Sequence, residues 1–282
     1  MTPDKIIVEE ILSENELENR SNTFFNTYNL LITSDSDVYT SEGELLFKFR
    51  KNIIPNNMCE TLYENLKGVA VLQRGRAEAS GMRNKYSYEV SKSTGKTIHQ
   101  LNSKARSGIV GYYDNKSFFG HKRQENGQLC RLTAYTAKHM DRFQNCLPVF
   151  SFVSNIYSQL LPSYYTLQED AIKTLDPVYR IQNTVFTTIT VNKNFRTALH
   201  KDKGDYSKGF GILTVVSDND EYTGSYTMFP KYGIAIDCRH GDFLAMNVHE
   251  WHCNSEKFGN GNRVSFVYYL REKMLKCCPN SY

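Results

Sequence analysis

Val185-Phe-Thr-Thr-Ile-Thr-Val191 is the stretch on which the reading of this chain turns. It is dense in β-branched residues, which suit a pleated, half-buried strand. Further strands are predicted toward the C-terminus at 209–217, 224–229, 232–238, 242–248 and 262–271, with Gly, Asp and Asn between them. Short strands at this spacing predict a β-sandwich or barrel.

Toward the N-terminus the pattern turns helical. Leu147 to Leu161 is apolar at helical spacing, and Leu167 to Leu175 reads as a second helix after the Pro162 break. Pro55 to Lys67 reads as a helix with Pro at its start. Gly68 to Arg76 and Ile109 to Asp114 read as strands, Tyr86 to Ser107 as a polar, basic loop, and Asp4 to Asn19 as an acidic helix. With helices mainly before strands, the expected class is α+β. The core is a double-stranded β-helix, a jelly-roll or cupin-like fold, at about 184–272 and flanked by helices. Residues 1–50 are set apart as an acidic N-terminal segment, and 51–282 as one domain.

The 282 residues are 40% apolar, enough for a sizeable core, and hold 19 Tyr against one Trp. No run approaches the ~18 apolar residues of a membrane span. Met1 to Arg20 carries six acidic side chains and lacks the basic start of a secretory signal, so an intracellular, non-secreted protein is expected. Seven cysteines, an odd number without a C-x-x-C, predict reduced thiols. Residues 1–50 hold ten acidic and four basic side chains. Between 74 and 106, Arg74, Arg76, Arg83, Lys85, Lys92, Lys96, Lys104 and Arg106 stand against Glu78 and Glu89. Such a basic segment is either the footprint of a polyanion partner or a solvated face.

Four of the seven histidines fall between 200 and 252. A non-haem Fe(II) oxygenase needs two His and one carboxylate on one face of the metal, leaving positions for co-substrate and O₂. On a strand or its end, residues i and i+2 point the same way, so His200-Lys201-Asp202 delivers two ligands together. Chance alone gives about 0.7 such H-x-D/E matches here, and His240-Gly241-Asp242 is a second. Spacing favours the first, because the third ligand must return from a distant strand and His240 leaves little room before the last histidines. Gly241-Asp242 reads as a turn into Phe243. The third ligand is His249 or His252. Arg263, on the strand-like run Arg263-Val-Ser265-Phe-Val-Tyr-Tyr-Leu270, favours His252. A buried Arg there can grip a carboxylate in a bidentate fork, with Ser265 adding a hydroxyl from the same side.

At these residues the chain resembles the TET/JBP family of nucleobase dioxygenases. The resemblance lies in Phe186-Thr-Thr-Ile-Thr-Val-Asn-Lys-Asn-Phe-Arg-Thr-Ala-Leu-His-Lys-Asp-Lys-Gly-Asp205, closest to its J-binding side. It continues through Gly209-Phe-Gly-Ile-Leu-Thr214, His252-Cys-Asn254 and Arg263-Val-Ser265. Gln73 to Gly81 is more loosely similar. The long cysteine-rich zinc region of the animal enzymes is not in the sequence.

The resemblance implies oxidation of a pyrimidine 5-methyl group, in thymine or 5-methylcytosine, to hydroxymethyl. It assigns His200, Asp202 and His252 to Fe(II), and Arg263 to 2-oxoglutarate, with O₂ as oxidant. One algal branch makes ascorbate the alternative co-substrate. The partner is DNA presenting a flipped or single-stranded base, with no membrane and no obligate protein partner. Arg74, Arg76, Lys201 and Lys203 are candidate phosphate contacts. Arg196, on the strand that ends in the iron ligands, either orients the substrate or co-substrate or forms a structural salt bridge, with Asp205 the candidate partner. The rival readings are an oxygenase acting on a small molecule or a protein side chain, and an inert DNA-binding module on the same fold.

Overall fold

The computed structural model describes residues 2–72, 79, 81, 86–90, 97–101, 105–114, 130–219 and 221–277. Among them, one mixed sheet has ten strands. Its order runs Asp4–Val8, Ser36–Thr40, Leu45–Arg50, Phe243–Met246, Gly211–Ser217, Arg263–Tyr269, Thr188–Lys193, Arg106–Asp114 and Val71–Leu72, with Cys130–Leu132 also paired to Arg106–Asp114. A second sheet holds Cys253–Asn254, Thr227–Phe229, Ile234–Ile236 and Leu30–Ile32.

The two-residue period of the strands divides the large sheet into two faces. Ile189, Val191, Ile212, Val216, Phe243, Ala245, Val264, Phe266 and Tyr268 pack against the helices Asn56–Leu66, Met140–Asn145 and Leu147–Leu160. The opposite face carries Phe47, Phe49, Leu213, Val215, Leu244 and Met246, which meet Phe229, Ile234 and Ile236 of the small sheet. Each such aliphatic or aromatic side chain contributes about 1.5–3 kcal/mol on burial. Toward the strands Thr188–Lys193 and Arg263–Tyr269 this inner face opens into a cavity of about 480 Å³. The α+β class and the two facing sheets are as the sequence predicts.

Several elements differ from the sequence reading. The predicted acidic helix over Asp4–Asn19 is instead the strand Asp4–Val8, parallel to Ser36–Thr40, followed by the short helix Glu14–Asn19. Ile6, Ile7 and Val8 are β-branched and find a strand partner. The helix begins only at Ser13, whose side chain and Glu16 form a reciprocal capping box. The second long helix starts at Pro162 rather than Leu167, because proline is preorganised for the first turn. Tyr86–Val90 and Thr97–Leu101 form a hairpin inside the predicted loop. Of the strand predicted over Gly68–Arg76, Val71–Leu72 is formed, and 73–76 lie outside the described residues.

Strands drawn from residues 1–50 take part in both sheets. Cys130 and Cys277, at a Cα separation of 6.0 Å, are joined as a disulfide, which corrects the expectation of reduced thiols throughout. The pairing follows from Cys130 and the C-terminal turn packing around Ile172, Leu175, Leu270 and Met274. Among the described residues no helix is long and apolar enough to cross a membrane.

Candidate active site

Thr188–Lys193 ends where Asn194 adopts φ +48°, and the chain leaves the sheet. It returns at His200, which forms an isolated antiparallel bridge with His252, each N–H donating to the other's carbonyl at 3.0 Å. The Asp202 N–H then donates to the Val248 carbonyl at 2.9 Å. Main-chain bonds alone therefore bring the H-x-D segment against the segment carrying the distal histidine.

The side chains converge accordingly. His200 Nε2 lies 3.5 Å from Asp202 Oδ1, and His252 Nε2 lies 3.6 Å from Asp202 Oδ2. One donor atom from each of the three falls within 4.8 Å of the others, the one such group among the described residues. His200 Nδ1–H donates to the Ala198 carbonyl at 2.7 Å, and His252 Nδ1–H to the Glu250 carbonyl at 2.9 Å. A carbonyl only accepts, so Nδ1 carries a proton on both imidazoles and Nε2 faces the carboxylate, where it holds either a proton donated to Asp202 or a metal. Burial pushes the Asp202 carboxyl up. Hydrogen bonds from His200 and His252 and their charges outweigh it and hold the group well below the usual carboxylate range. Two imidazole nitrogens and one ionised carboxylate oxygen, opening on a cavity, suit a first-row divalent metal.

The cavity lies between the two sheets. His200, Asp202 and His252 line it together with Thr190, Asn192, Ser265, Val267 and Tyr269 of the large sheet and Thr227 of the small one. Arg263 shares the strand face of Ser265 and is 5% exposed, and its Nε and Nη2 have no hydrogen-bond partner among the described residues. A buried guanidinium is costly unless it is paired, and these two N–H groups are bare among the described residues. The Thr227 hydroxyl and the Asn192 Oδ1 are likewise buried without a partner. Cys253 also lines the cavity, but burial pushes its thiol up to about 12, so it stays neutral.

The remaining predicted residues are placed differently. His249 Nε2 meets the Tyr206 carbonyl at 3.1 Å, away from the triad, and His240 Nδ1 meets Ser217 in the turn before Phe243. Arg196 is not on a strand. The turn at Asn194 breaks the alternation, and the guanidinium forms its ion pair with Glu256 at 3.5 Å, where the sequence suggested Asp205, and donates to Asn26 Oδ1 at 2.8 Å. Lys201 binds Glu14 at 2.8 Å, while Lys203 is exposed beside the ligand pair. Arg74 and Arg76, with Arg83, lie outside the described residues. Ala79 lines the cavity, and its carbonyl accepts the Ala198 N–H at 2.7 Å.

Sequence reasoning missed Tyr269 and Arg271, which line the cavity. Both continue the two-residue alternation that starts at Arg263, and that phase is the signal that could have found them. Tyr269 OH lies 3.2 Å from Thr190 Oγ1, and Arg271 Nε donates to Asp114 at 2.7 Å.

Comparison with known proteins fits this geometry. Residues 108–272 match the Tet_JBP family, described as the oxygenase domain of the 2OGFeDO superfamily. Thymine dioxygenase JBP1 of Trypanosoma brucei brucei is 34% identical over 170 residues, covering 58% of this chain and 19% of the relative. The bifunctional helicase and thymine dioxygenase JBP2 of Leishmania infantum is 30% identical over 251 residues, covering 87% of this chain and 20% of the relative. The chain thus spans about a fifth of the length of these relatives. Among solved structures, NgTET1 in complex with 5mC DNA superimposes with a TM-score of 0.57 at 12% identity over 94% of each chain, a likeness of fold. On the match over 108–272, carried by the segment that supplies the His200–Asp202–His252 cluster and Arg263, the chain belongs to the Tet_JBP family of the 2OGFeDO superfamily.

Proposed function

We propose that this chain is an Fe(II)- and 2-oxoglutarate-dependent dioxygenase that oxidises the 5-methyl group of thymine in DNA to hydroxymethyl. The observation that carries the proposal is the convergence of His200, Asp202 and His252 on one point, in a cavity whose wall also holds Ser265, with Arg263 on the same strand face and its Nε and Nη2 without a partner among the described residues. Family membership supports the reaction class. The identity to two thymine dioxygenases supports thymine ahead of 5-methylcytosine.

The three side chains would hold the metal through His200 Nε2, Asp202 and His252 Nε2. Fe(II), with 2-oxoglutarate and O₂, supplies the oxidising power for C–H hydroxylation that no side chain has. The chain's own residues bind and orient. Arg263 offers Nε–H and Nη2–H as a fork for the far carboxylate of the keto acid, and Ser265 adds a hydroxyl. A guanidinium with a hydroxyl matches a dicarboxylate, which supports 2-oxoglutarate over ascorbate as co-substrate. Apolar wall residues, among them Leu213, Met246 and Val267, exclude water from the reacting methyl group.

A methyl group inside a duplex cannot reach this floor, so the base enters flipped or single-stranded, at a cost of a few kcal/mol. Phe195 and Tyr269 are the Phe and Tyr rings of the lining and are the candidates to stack it. Lys203, exposed beside the ligands, is the candidate contact for a backbone phosphate.

The test is incubation with Fe(II), 2-oxoglutarate and DNA containing thymine or 5-methylcytosine, followed by mass spectrometry of the nucleosides. A 5-hydroxymethyl product from thymine is expected. Product only from 5-methylcytosine replaces the base, and succinate release without either product moves the substrate out of DNA.

A further inference from the structure

The acidic N-terminal segment runs against the peptide that carries the three converging side chains. Leu17 is fully buried among Leu199, Met228, Trp251 and Cys253. The Asn22 N–H donates to the Leu199 carbonyl at 2.8 Å, and the Leu199 N–H to the Thr23 carbonyl at 2.9 Å. These contacts fix the residue that immediately precedes His200.

Glu14 makes the most specific link. Its Oε1 accepts from Lys201 Nζ at 2.8 Å and from the Trp251 indole N–H at 2.7 Å. Lys201 stands between His200 and Asp202, and Trp251 directly precedes His252. One carboxylate oxygen therefore ties the two chain segments that supply the cluster, and the Lys201 ammonium sits 5.0 Å from the centre of the Trp251 ring. A second tie runs parallel. Glu10 pairs with Lys231 at 2.6 Å, and Lys231 with Glu250 at 3.4 Å. The Glu250 carboxylate accepts from the Trp251 N–H at 2.7 Å, and its carbonyl takes the His252 Nδ1–H at 2.9 Å.

An isolated half-exposed ion pair adds little to stability. Two ties that both end within one residue of the converging side chains serve geometry instead. We infer that the N-terminal segment is a positioning element of the metal site and that Glu14 is its principal positioning residue, coupling the H-x-D segment to the segment of His252. The inference rests on the reading of His200, Asp202 and His252 as metal ligands. Partners that orient ligands in this way typically change metal affinity by about 10–100-fold.

The test titrates Co(II), a coloured substitute for Fe(II), into the whole chain, into Glu14→Ala, into Glu14→Gln and into Asp202→Ala, following the visible ligand-field bands. Glu14→Ala is expected to bind on the order of tenfold more weakly, with altered bands. Glu14→Gln keeps an oxygen for Trp251 but not the charge for Lys201, and falls between. Wild-type affinity and bands in Glu14→Ala overturn the inference while leaving the metal site standing. Bands that persist unchanged in Asp202→Ala overturn the metal site itself and the inference with it. Where Glu14→Ala fails to fold, Trp251→Phe, which removes only the indole N–H, replaces it. Weaker Co(II) binding then supports the inference, and unchanged binding overturns it.

Discussion

His200 and His252 hydrogen-bond to each other through their main chains in both directions, each at 3.0 Å. The bridge uses no side-chain atom, so it persists when an imidazole is removed. His252→Ala is accordingly expected to lower Fe(II) affinity at least about 100-fold while costing only about 1 kcal/mol of metal-free stability. Equilibrium dialysis and thermal unfolding of the same preparation check both halves.

Arg263 separates stability from function. Its buried Nε and Nη2 have no partner among the described residues, so the free chain bears their desolvation. Arg263→Leu is expected to leave the metal-free unfolding midpoint unchanged or raised, and to raise the KM for 2-oxoglutarate on the order of 100-fold or more, from the loss of about 3 kcal/mol of charge-assisted bonding. Steady-state kinetics with a thermal melt test the pair of effects.

Gly211 sets the distance between the Gly211–Ser217 strand and the peptide of Asp202. A Cβ at this position would stand 2.2 Å from Val248 Cγ1, and the Val248 carbonyl holds the Asp202 N–H. Gly211→Ala is expected to destabilise by about 1–3 kcal/mol and to weaken metal binding. Val248→Ala in the same chain should restore part of both, as a double-mutant cycle in urea would read.

Glu14 carries a pH signature. Burial raises its carboxyl, but hydrogen bonds from Lys201 and Trp251 outweigh that and leave it lowered. A carboxyl depressed in the folded state stabilises above its unfolded value, about 4.3, and loses that contribution as pH falls through the folded one. Glu14→Gln is therefore expected to be less stable than wild type at pH 7, by under about 1 kcal/mol for so exposed a pair. The gap should close below about pH 4 in paired thermal melts.

What could be read from the sequence was whatever a two-residue period encodes locally. His200 and Asp202 share a side, Arg263 and Ser265 share a strand face, and the β-branched run at 185–191 names its own strand. The same period extends to Tyr269 and Arg271, but nothing local says how far the cavity reaches along the strand. The Asp4–Val8 strand was hidden because its partner, Ser36–Thr40, lies parallel and distant, while Glu9 to Glu18 mimic a solvated helix. Arg196 was misplaced because one residue with positive φ, Asn194, ends the alternation before it. The tie from Glu14 to Lys201 and Trp251 joins side chains from three separate stretches, which no spacing rule connects.

The most direct measurement compares wild type with Asp202→Ala on one thymine-containing DNA, with Fe(II), 2-oxoglutarate and air, counting 5-hydroxymethyluracil nucleoside by mass spectrometry. The geometry predicts product from wild type and a fall of at least about 1,000-fold, or about 4 kcal/mol, in the variant. Equal product from both chains would contradict it.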